Sequence, residues 1–420
     1  MKYKVYKKIS KCRICGNSNL KRVINLGRMG LTGIFPSQTS KILTGPLEVV
    51  KCVKSGPDKV CGLVQLRHSY NQKIIYGKNY GYRSGLNRSM IDHLHELVEN
   101  LSKYVSYKDS DMIIDIGSND GTMLNFFPKN KKLKLVGIDP TAKKFKKYYS
   151  PTIKVIPEIF SVTAIKKYFG NKKTKVVATI AMFYDLENPL AFAQEVEEIL
   201  LDDGIWVMEQ SYLPLMIKVN AYDTICHEHL EYYRLKQIKW ICDNVGLKII
   251  DIETNDTNGG SFKLILAKKE SKLKENHTKI NNLLKKEISE KIDQMQTYKN
   301  FRKDIIKHKR GLRKIINKLE KENKKIFGYG ASTKGNVMLQ YCGITAEKIP
   351  LIAEVNEDKF GHFTPCTNIP IIDEKKAHEL KPDYFLVLPW HFKNNIIAKE
   401  KNFLKKGGHL IFPLPKIEII

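Results

Sequence analysis

Met112-Ile113-Ile114-Asp115-Ile116-Gly117-Ser118-Asn119-Asp120-Gly121-Thr122 decides how this chain is read. An apolar run ends in a glycine turn, and a short helical pattern from Thr122 to Phe127 follows. That order is strand, tight loop and helix start. Gly117 and Gly121 let the backbone bend sharply and approach a ligand closely. Downstream, Leu135-Val136-Gly137-Ile138-Asp139 is a second apolar run that ends in an acid. An acid at the tip of the second strand can accept hydrogen bonds from a ribose diol.

Glycine spacing separates the candidate nucleotides. A dinucleotide fingerprint needs G-x-G-x-x-G, whereas this loop reads G-S-N-D-G. The pattern D-x-G-x-x-x-G resembles the first motif of class I S-adenosylmethionine (AdoMet) methyltransferases. That resemblance implies that Asp115, Gly117, Ser118, Asn119 and Gly121 cradle the methionine part of AdoMet and that Asp139 binds its ribose. An ordinary strand–loop–helix in an α/β core is the competing reading.

Around this stretch, residues 111–268 alternate strand and helix patterns. Strands are expected at 112–116, 134–138, 153–156, 175–180 and 204–209, with helices near 121–127, 141–149, 161–169 and 189–201. After a helix near 234–245, segments 247–253 and 261–267 flank Asn258-Gly259-Gly260 and read as a hairpin. This succession matches a Rossmann-like seven-strand methyltransferase sheet whose last strand is antiparallel. Before it, Met90, Leu94, Leu97, Val98 and Leu101 mark a core-packing helix, with His93 and His95 expected at its surface.

The chain has 420 residues, which is too long for one ordinary core, and its 42% hydrophobic content fits a folded protein. Four domains or segments are expected: a zinc-binding domain over 1–68, an AdoMet-binding domain with a preceding helix over 69–270, a helical linker over 271–325, and an α/β domain over 326–420. The fold class is therefore α/β, with a small metal-binding domain in front and a smaller Rossmann-like domain behind.

Four of the eight cysteines come early, at Cys12, Cys15, Cys52 and Cys61. C-x-x-C followed by Gly16 is a knuckle in which two thiolates hold one metal, and the later pair completes a closed, structural site of four thiolates. A redox C-x-x-C is the rival, but no strand–helix pattern frames it. No apolar run of about 18 residues exists, and the basic start lacks an apolar signal segment, so a cytoplasmic protein without a membrane partner is expected. The formal charge of +28 points either to a polyanionic partner or to a solvated lysine surface. Because the lysines spread along the whole chain, the second reading is preferred and no nucleic-acid partner is expected.

The C-terminal part restarts with Ile326-Phe327-Gly328-Tyr329-Gly330-Ala331-Ser332-Thr333-Lys334-Gly335, again a strand and a glycine loop. Its amides and Lys334 could hold a phosphate at a helix start; a tight turn in an auxiliary domain is the alternative.

The densest chemistry lies in Asp223-Thr224-Ile225-Cys226-His227-Glu228-His229-Leu230-Glu231-Tyr232-Tyr233. The two histidines are two apart, so this is no H-E-x-x-H metal site, and an imidazole beside an acid suits general-base work near neutral pH. At this point a wider resemblance is carried by five features in one order. They are the four cysteines, D-I-G-x-N-D-G, H-E-H-L-x-Y-Y, G-Y-G-A-S-x-K-G and the terminal Gly407-Gly408-His409-Leu410-Ile411-Phe412-Pro413-Leu414-Pro415. Together they resemble the AdoMet-dependent C-methyltransferases that act on nucleotide-linked 4-keto-6-deoxy sugars, over nearly the whole chain.

That resemblance implies His229 as the base that removes the proton next to the ketone, with Glu228 orienting it or binding the sugar. It implies Tyr80 or Tyr82 at the sugar, His227 and Tyr232 in the substrate site, and nucleotide phosphates near Ser332 and Lys334. The cofactors implied are AdoMet and structural Zn2+, and the partner is a nucleotide-linked sugar; the sequence leaves the oligomeric state open, with a monomer favoured. The chain departs from the family at Cys226, where a tyrosine is common, and at Ala181-Met182-Phe183-Tyr184-Asp185, where many members carry a histidine. A sugar O-methyltransferase, a zinc-bearing RNA-binding or RNA-modifying protein, and a non-catalytic AdoMet-fold partner are the alternatives.

Overall fold

Buried, near-continuous apolar runs form the centre of an open sheet, as parallel strands covered on both faces require. In the computed structural model, residues 4–38, 42–54, 56, 59–77 and 82–420 are described. The chain opens with β1 (Tyr6–Lys8), β2 (Leu20–Gly30), β3 (Thr44–Cys52), β4 (Val64–Leu66) and β5 (His68–Tyr70). Strands β2, β3 and β4 run antiparallel in sequence, and β5 pairs with β1.

Then come β6 (Met112–Ile116), β7 (Lys134–Ile138), β8 (Lys154–Ile156), β9 (Thr174–Ile180) and β10 (Leu200–Ser211). The next strand, β11 (Glu231–Tyr232), leaves this sheet and pairs antiparallel with β4. It is followed by β12 (Leu247–Asn255) and β13 (Ser261–Lys268). Among the described residues the central sheet has the order β12-β13-β10-β9-β6-β7-β8, with β13 antiparallel to its neighbours. The seven-strand arrangement expected from the sequence is thus present, including its reversed last strand.

Local chemistry sets the helix boundaries. Ser161 caps the helix Val162–Phe169 by accepting the Ala164 N–H, Asn188 caps Pro189–Ile199, and Gly246 ends Leu235–Val245 in a left-handed turn. The pattern at 121–127 yields only a single 3-10 turn, Leu124–Phe126; Pro128 directly after Phe127 prevents the helix from continuing.

The last domain holds β14 (Ile326–Tyr329), β15 (Ile352–Glu354), β16 (Ile371–Asp373), β17 (Tyr384–Val387), β18 (His409–Phe412) and β19 (Glu418–Ile419). Their order β16-β15-β14-β17-β18-β19 is parallel up to β18 and reverses at β14, a Rossmann-like switch point.

The charged segment before this domain does more than connect. Its helix Met295–Lys321 buries Tyr298, Phe301, Ile305, Leu312 and Ile316 in one core with β2, β3 and the C-terminal sheet. A second core joins Cys12, Ile14, Val50 and Leu63 to one face of the central sheet. The N-terminal domain therefore splits its apolar surface between the two larger domains. Among the described residues, no helix is long and apolar enough to cross a membrane.

Three segments converge on Asp293, which faces Arg234, Lys236 at 3.0 Å and Lys51 at 3.6 Å. Burial pushes its carboxyl up, but Arg234 and then the two lysines outweigh this and hold it at about 2. Its folded pKa lies below its ordinary value of 3.8, so the stability it contributes is present above that value and is lost as pH falls towards about 2. Acid-unfolding curves should therefore shift in Asp293→Asn, with the difference from wild type vanishing at the acid end.

Candidate active site

Two cavities meet at the carboxyl edge of the central sheet. The first, about 400 Å³, is lined by Asp115, Gly117, Asp139 and Met182. The second, about 570 Å³, lies between that edge and the C-terminal domain and is lined by Glu228, His229, Ser332 and Lys334. Tyr76, Tyr82, Ala181, Asp185 and Asn258 line both, so a group passed between the cavities crosses at these residues.

In the first cavity, Gly117 and Gly121 have φ of +77° and +75°. A Cβ at Gly121 would stand 2.6 Å from the Tyr149 ring, so both the backbone angle and the space demand glycine. Asp139 accepts the Asn119 N–H at 2.9 Å and the Thr141 N–H at 2.6 Å. A carboxylate has further lone pairs for a diol. The Ser118 hydroxyl meets the Tyr149 hydroxyl at 2.8 Å. Asn119 uses its side chain as a clasp, accepting from the Ser84 N–H and donating to the Tyr82 carbonyl, while Asp120 accepts the Gly85 N–H. The loop thus holds residues 82–85 over the cavity, a role that was not legible in its sequence.

Burial first, then the charges of Asp139 and Asp120, push the Asp115 carboxyl up to about 7. An acidic, partly apolar pocket of this kind fits AdoMet, whose sulfonium and ammonium outnumber its one carboxylate. At the far wall, Glu209 holds the His93 ring at 2.6 Å and accepts from Asn255 at 2.8 Å. His93 is therefore engaged by a buried acid, in contrast to the surface position expected for it.

The second cavity is lined by Glu228 and His229 of the H-E-H segment, which forms a loop between Thr224 and β11. His229 Nδ1 lies 2.9 Å from the Thr224 carbonyl, and its ring packs against Tyr184 with centroids 4.3 Å apart. A carbonyl only accepts, so Nδ1 carries the proton and Nε2 keeps its lone pair. Burial, then the charge of Lys334, depresses the imidazole to about 3, so it is neutral at pH 7. Glu228 is buried beside it over Gly33 and accepts from the Thr32 hydroxyl at 3.4 Å. Burial raises its carboxyl.

Ser332 caps the helix Thr333–Cys342 by accepting the Gly335 N–H at 3.0 Å. Lys334 reaches across to the Asn258 carbonyl at 2.6 Å. Nearby, Trp390 donates its indole N–H to buried Asp223 at 2.7 Å. The Lys334 bond docks the C-terminal domain onto the β12–β13 turn, and the Trp390 bond docks it onto the segment that leads into the H-E-H loop.

Two expected site residues stand elsewhere. His227 lines neither cavity: its Nδ1 accepts from the Thr32 N–H at 3.2 Å, and its Nε2 faces the Gly45 carbonyl at 3.3 Å. It joins the loop to the N-terminal domain. Tyr232 is buried in β11 and also lines neither cavity. Tyr80 lies outside the described residues. Asp185, in the segment where the chain departs from the family, and Tyr76 line both cavities, although neither had been given a role of its own. The Tyr76 hydroxyl donates to Asp185 at 2.7 Å, and burial lifts that carboxyl well above its ordinary value.

In the N-terminal domain, the Cys12, Cys15, Cys52 and Cys61 sulfurs lie within 4.8 Å of one another, with Cys12–Cys61 at 3.5 Å and Cys15–Cys52 at 3.6 Å. A Zn–S bond of about 2.3 Å makes a tetrahedral edge of about 3.8 Å, so the donor set fits zinc closely. Asn17 donates to Cys52 and the Leu63 N–H to Cys61, as partners of thiolate ligands do.

Comparison with known proteins agrees with this geometry. Residues 12–76 match a zinc binding domain, 82–252 a methyltransferase domain, and 256–415 the C-methyltransferase C-terminal domain. The C-methyltransferase NovU of Streptomyces niveus is 28% identical over 420 residues, covering 99% of this chain and 98% of that protein. Among solved structures, the plantazolicin methyltransferase BamL is 14% identical with a TM-score of 0.35, covering 43% of this chain and 84% of that one. The mitomycin 7-O-methyltransferase MmcR is 8% identical with a TM-score of 0.34, covering 43% and 54%. Likeness at that level adds nothing to the assignment.

The sheet, the cavity and the matched domains define an AdoMet-dependent methyltransferase with a four-thiolate zinc site. Along the chain a zinc-binding domain, a methyltransferase domain and a C-methyltransferase C-terminal domain follow one another, and over its full length the chain is similar to a C-methyltransferase. Elemental analysis should find one zinc per chain, and Cys12→Ser or Cys61→Ser should lower both zinc content and the yield of folded protein.

Proposed function

We propose that this enzyme deprotonates the carbon beside the ketone of a nucleotide-linked 4-keto-6-deoxy sugar and methylates that carbon. The observation that carries the proposal is His229. Its Nδ1–H is committed to Thr224, its neutral Nε2 is left as an acceptor, and it lines the cavity that borders the AdoMet pocket. A ketone acidifies its neighbouring C–H, and the Nε2 lone pair, unprotonated at neutral pH, is placed to accept that proton.

Bound AdoMet supplies an electrophilic methyl group. Asp115, Gly117, Ser118, Asn119, Gly121 and Asp139 form its pocket, some by contact and some by holding the loop. Glu228 keeps its carboxyl beside His229 for the sugar, and Tyr82 stands at the junction of the cavities. Ser332 and Lys334 stand at the N-terminus of the helix Thr333–Cys342, where backbone amides and a cation suit the nucleotide phosphates. Water is kept from the carbanion by residues 82–85 on one side and the C-terminal domain on the other.

Methylation of a sugar hydroxyl is the second reading. It is favoured by Asp185, an acid that lines both cavities within the segment where the resemblance implies a more polar, histidine-containing stretch.

Incubation with nucleotide 4-keto-6-deoxy sugars in deuterated water separates the two. Deuterium uptake beside the ketone, and a methyl gained there with AdoMet, support the first; no exchange with any keto sugar while AdoMet binds supports the second. His229→Ala should lower exchange by about 10² or more while AdoMet affinity is kept, and unchanged exchange would remove the base assignment. Since burial and Lys334 depress His229 to about 3, the acid limb of kcat/KM should lie well below the usual histidine range. Lys334→Gln removes a positive charge, so it should move that limb upward.

A further inference from the structure

We propose that Arg13 is a positioning residue for the catalytic loop, fixing Leu230 and Glu231, and through them the imidazole of His229, from the centre of the zinc knuckle. This rests on the reading of His229 as the base.

Arg13 is the residue between Cys12 and Cys15, and its side chain is 3% exposed. Its Nη1 donates to the Leu66 carbonyl at 2.7 Å and reaches the Leu230 carbonyl at 3.5 Å; its Nη2 donates to Ser69 at 2.9 Å. Its Nε faces Glu231 at 3.4 Å. The Glu231 carboxylate oxygens are buried and have no hydrogen-bond partner among the described residues. A buried guanidinium thus faces this acid through an Nε that makes no hydrogen bond of its own, while the directional bonds of its Nη1 and Nη2 run to the Leu66 carbonyl and Ser69.

The contacts are directional towards the active site. The Leu230 carbonyl accepts the Leu66 N–H at 2.8 Å, and the Leu230 N–H donates to the Tyr184 carbonyl at 2.8 Å. Tyr184 in turn carries the ring against which His229 packs. His229 is therefore held between a residue tied to the knuckle and an aromatic tied to the same backbone unit. The knuckle needs no ligand to the reaction for this: four thiolates on one metal make the stretch around Arg13 rigid, and Arg13 transmits the placement.

The test uses the zinc-loaded, full-length protein with 15N-labelled histidine, reading the His229 tautomer from long-range 1H–15N spectra assigned with His229→Ala. Arg13→Gln leaves Glu231 uncompensated and can fail to fold. The informative protein is therefore the double variant Arg13→Met with Glu231→Met, which removes both members of the buried pair, supported by the milder Ser69→Ala. Wild type should show His229 as the Nδ1–H tautomer alone. The double variant should keep its zinc and its AdoMet affinity, show mixed tautomers, and exchange deuterium into the sugar at least tenfold more slowly, with KM little changed. Leu26→Ala, which weakens the same domain away from Arg13, should leave the His229 spectrum untouched.

A pure Nδ1–H signal in a folded, zinc-loaded double variant would overturn the proposal, as would equal disturbance by Leu26→Ala. The spectrum needs no substrate, so failure of the keto-sugar reading would show separately, as absent exchange in wild type.

Discussion

Leu66 donates its backbone N–H to the Leu230 carbonyl, and much of the molecule depends on that bond. It begins the short pairing that adds β11 to the N-terminal sheet. A buried peptide group cannot be left unpaired without a penalty of about 1–3 kcal/mol, so the loop that carries H-E-H has little freedom to sit elsewhere. Its other ties run the same way: His227 is held by Thr32 and Gly45, and Glu228 by Thr32. A domain named for its metal also lines the second cavity, through Phe35 and Tyr76.

The same burial sets the electrostatics. A histidine in this enclosed position stays neutral, and the carboxyls of Glu228 and Asp185 are raised by burial. These shifts share one cause, the burial of the three groups where the central sheet meets the other domains. The charged groups that remain are tied down: Lys334 on the Asn258 carbonyl, Asp223 under the Trp390 indole. Closure of the chamber and docking of the C-terminal domain are thus the same set of contacts.

The fold was largely legible because its signals are local. The runs ending at Ile116 and Ile138, the glycines after them and the hairpin at Asn258-Gly259-Gly260 each announce themselves within a few residues. The cysteine pairs were legible for a similar reason, since few other chemistries use that spacing. The site was legible only in part. Two histidines, two residues apart, look alike in the sequence. Which one reaches the cavity was decided by Thr32 and Gly45, distant in the chain, which engage His227 and leave His229. Asp185 acquired its place from Tyr76 and from a cavity that exists only after the domains have met. Asn119 was legible as a loop residue of a cofactor site, but not as the clasp on residues 82–85, because its partners lie outside the motif.

The pairing of β4 with β11 also constrains how the protein is made. The four thiolates and β2, β3 and β4 emerge from the ribosome long before Glu231–Tyr232, so the metal can be captured while one sheet edge is still open. Through the synthesis of five of the seven strands of the central sheet, the nascent N-terminal domain carries an unpaired strand edge and a guanidinium whose acid has not yet been translated. Such edges recruit foreign strands, and long-range pairings of this kind are slow to form. The interval between metal capture and the arrival of β11 is thus the stretch of biosynthesis in which this enzyme is most exposed to misassembly.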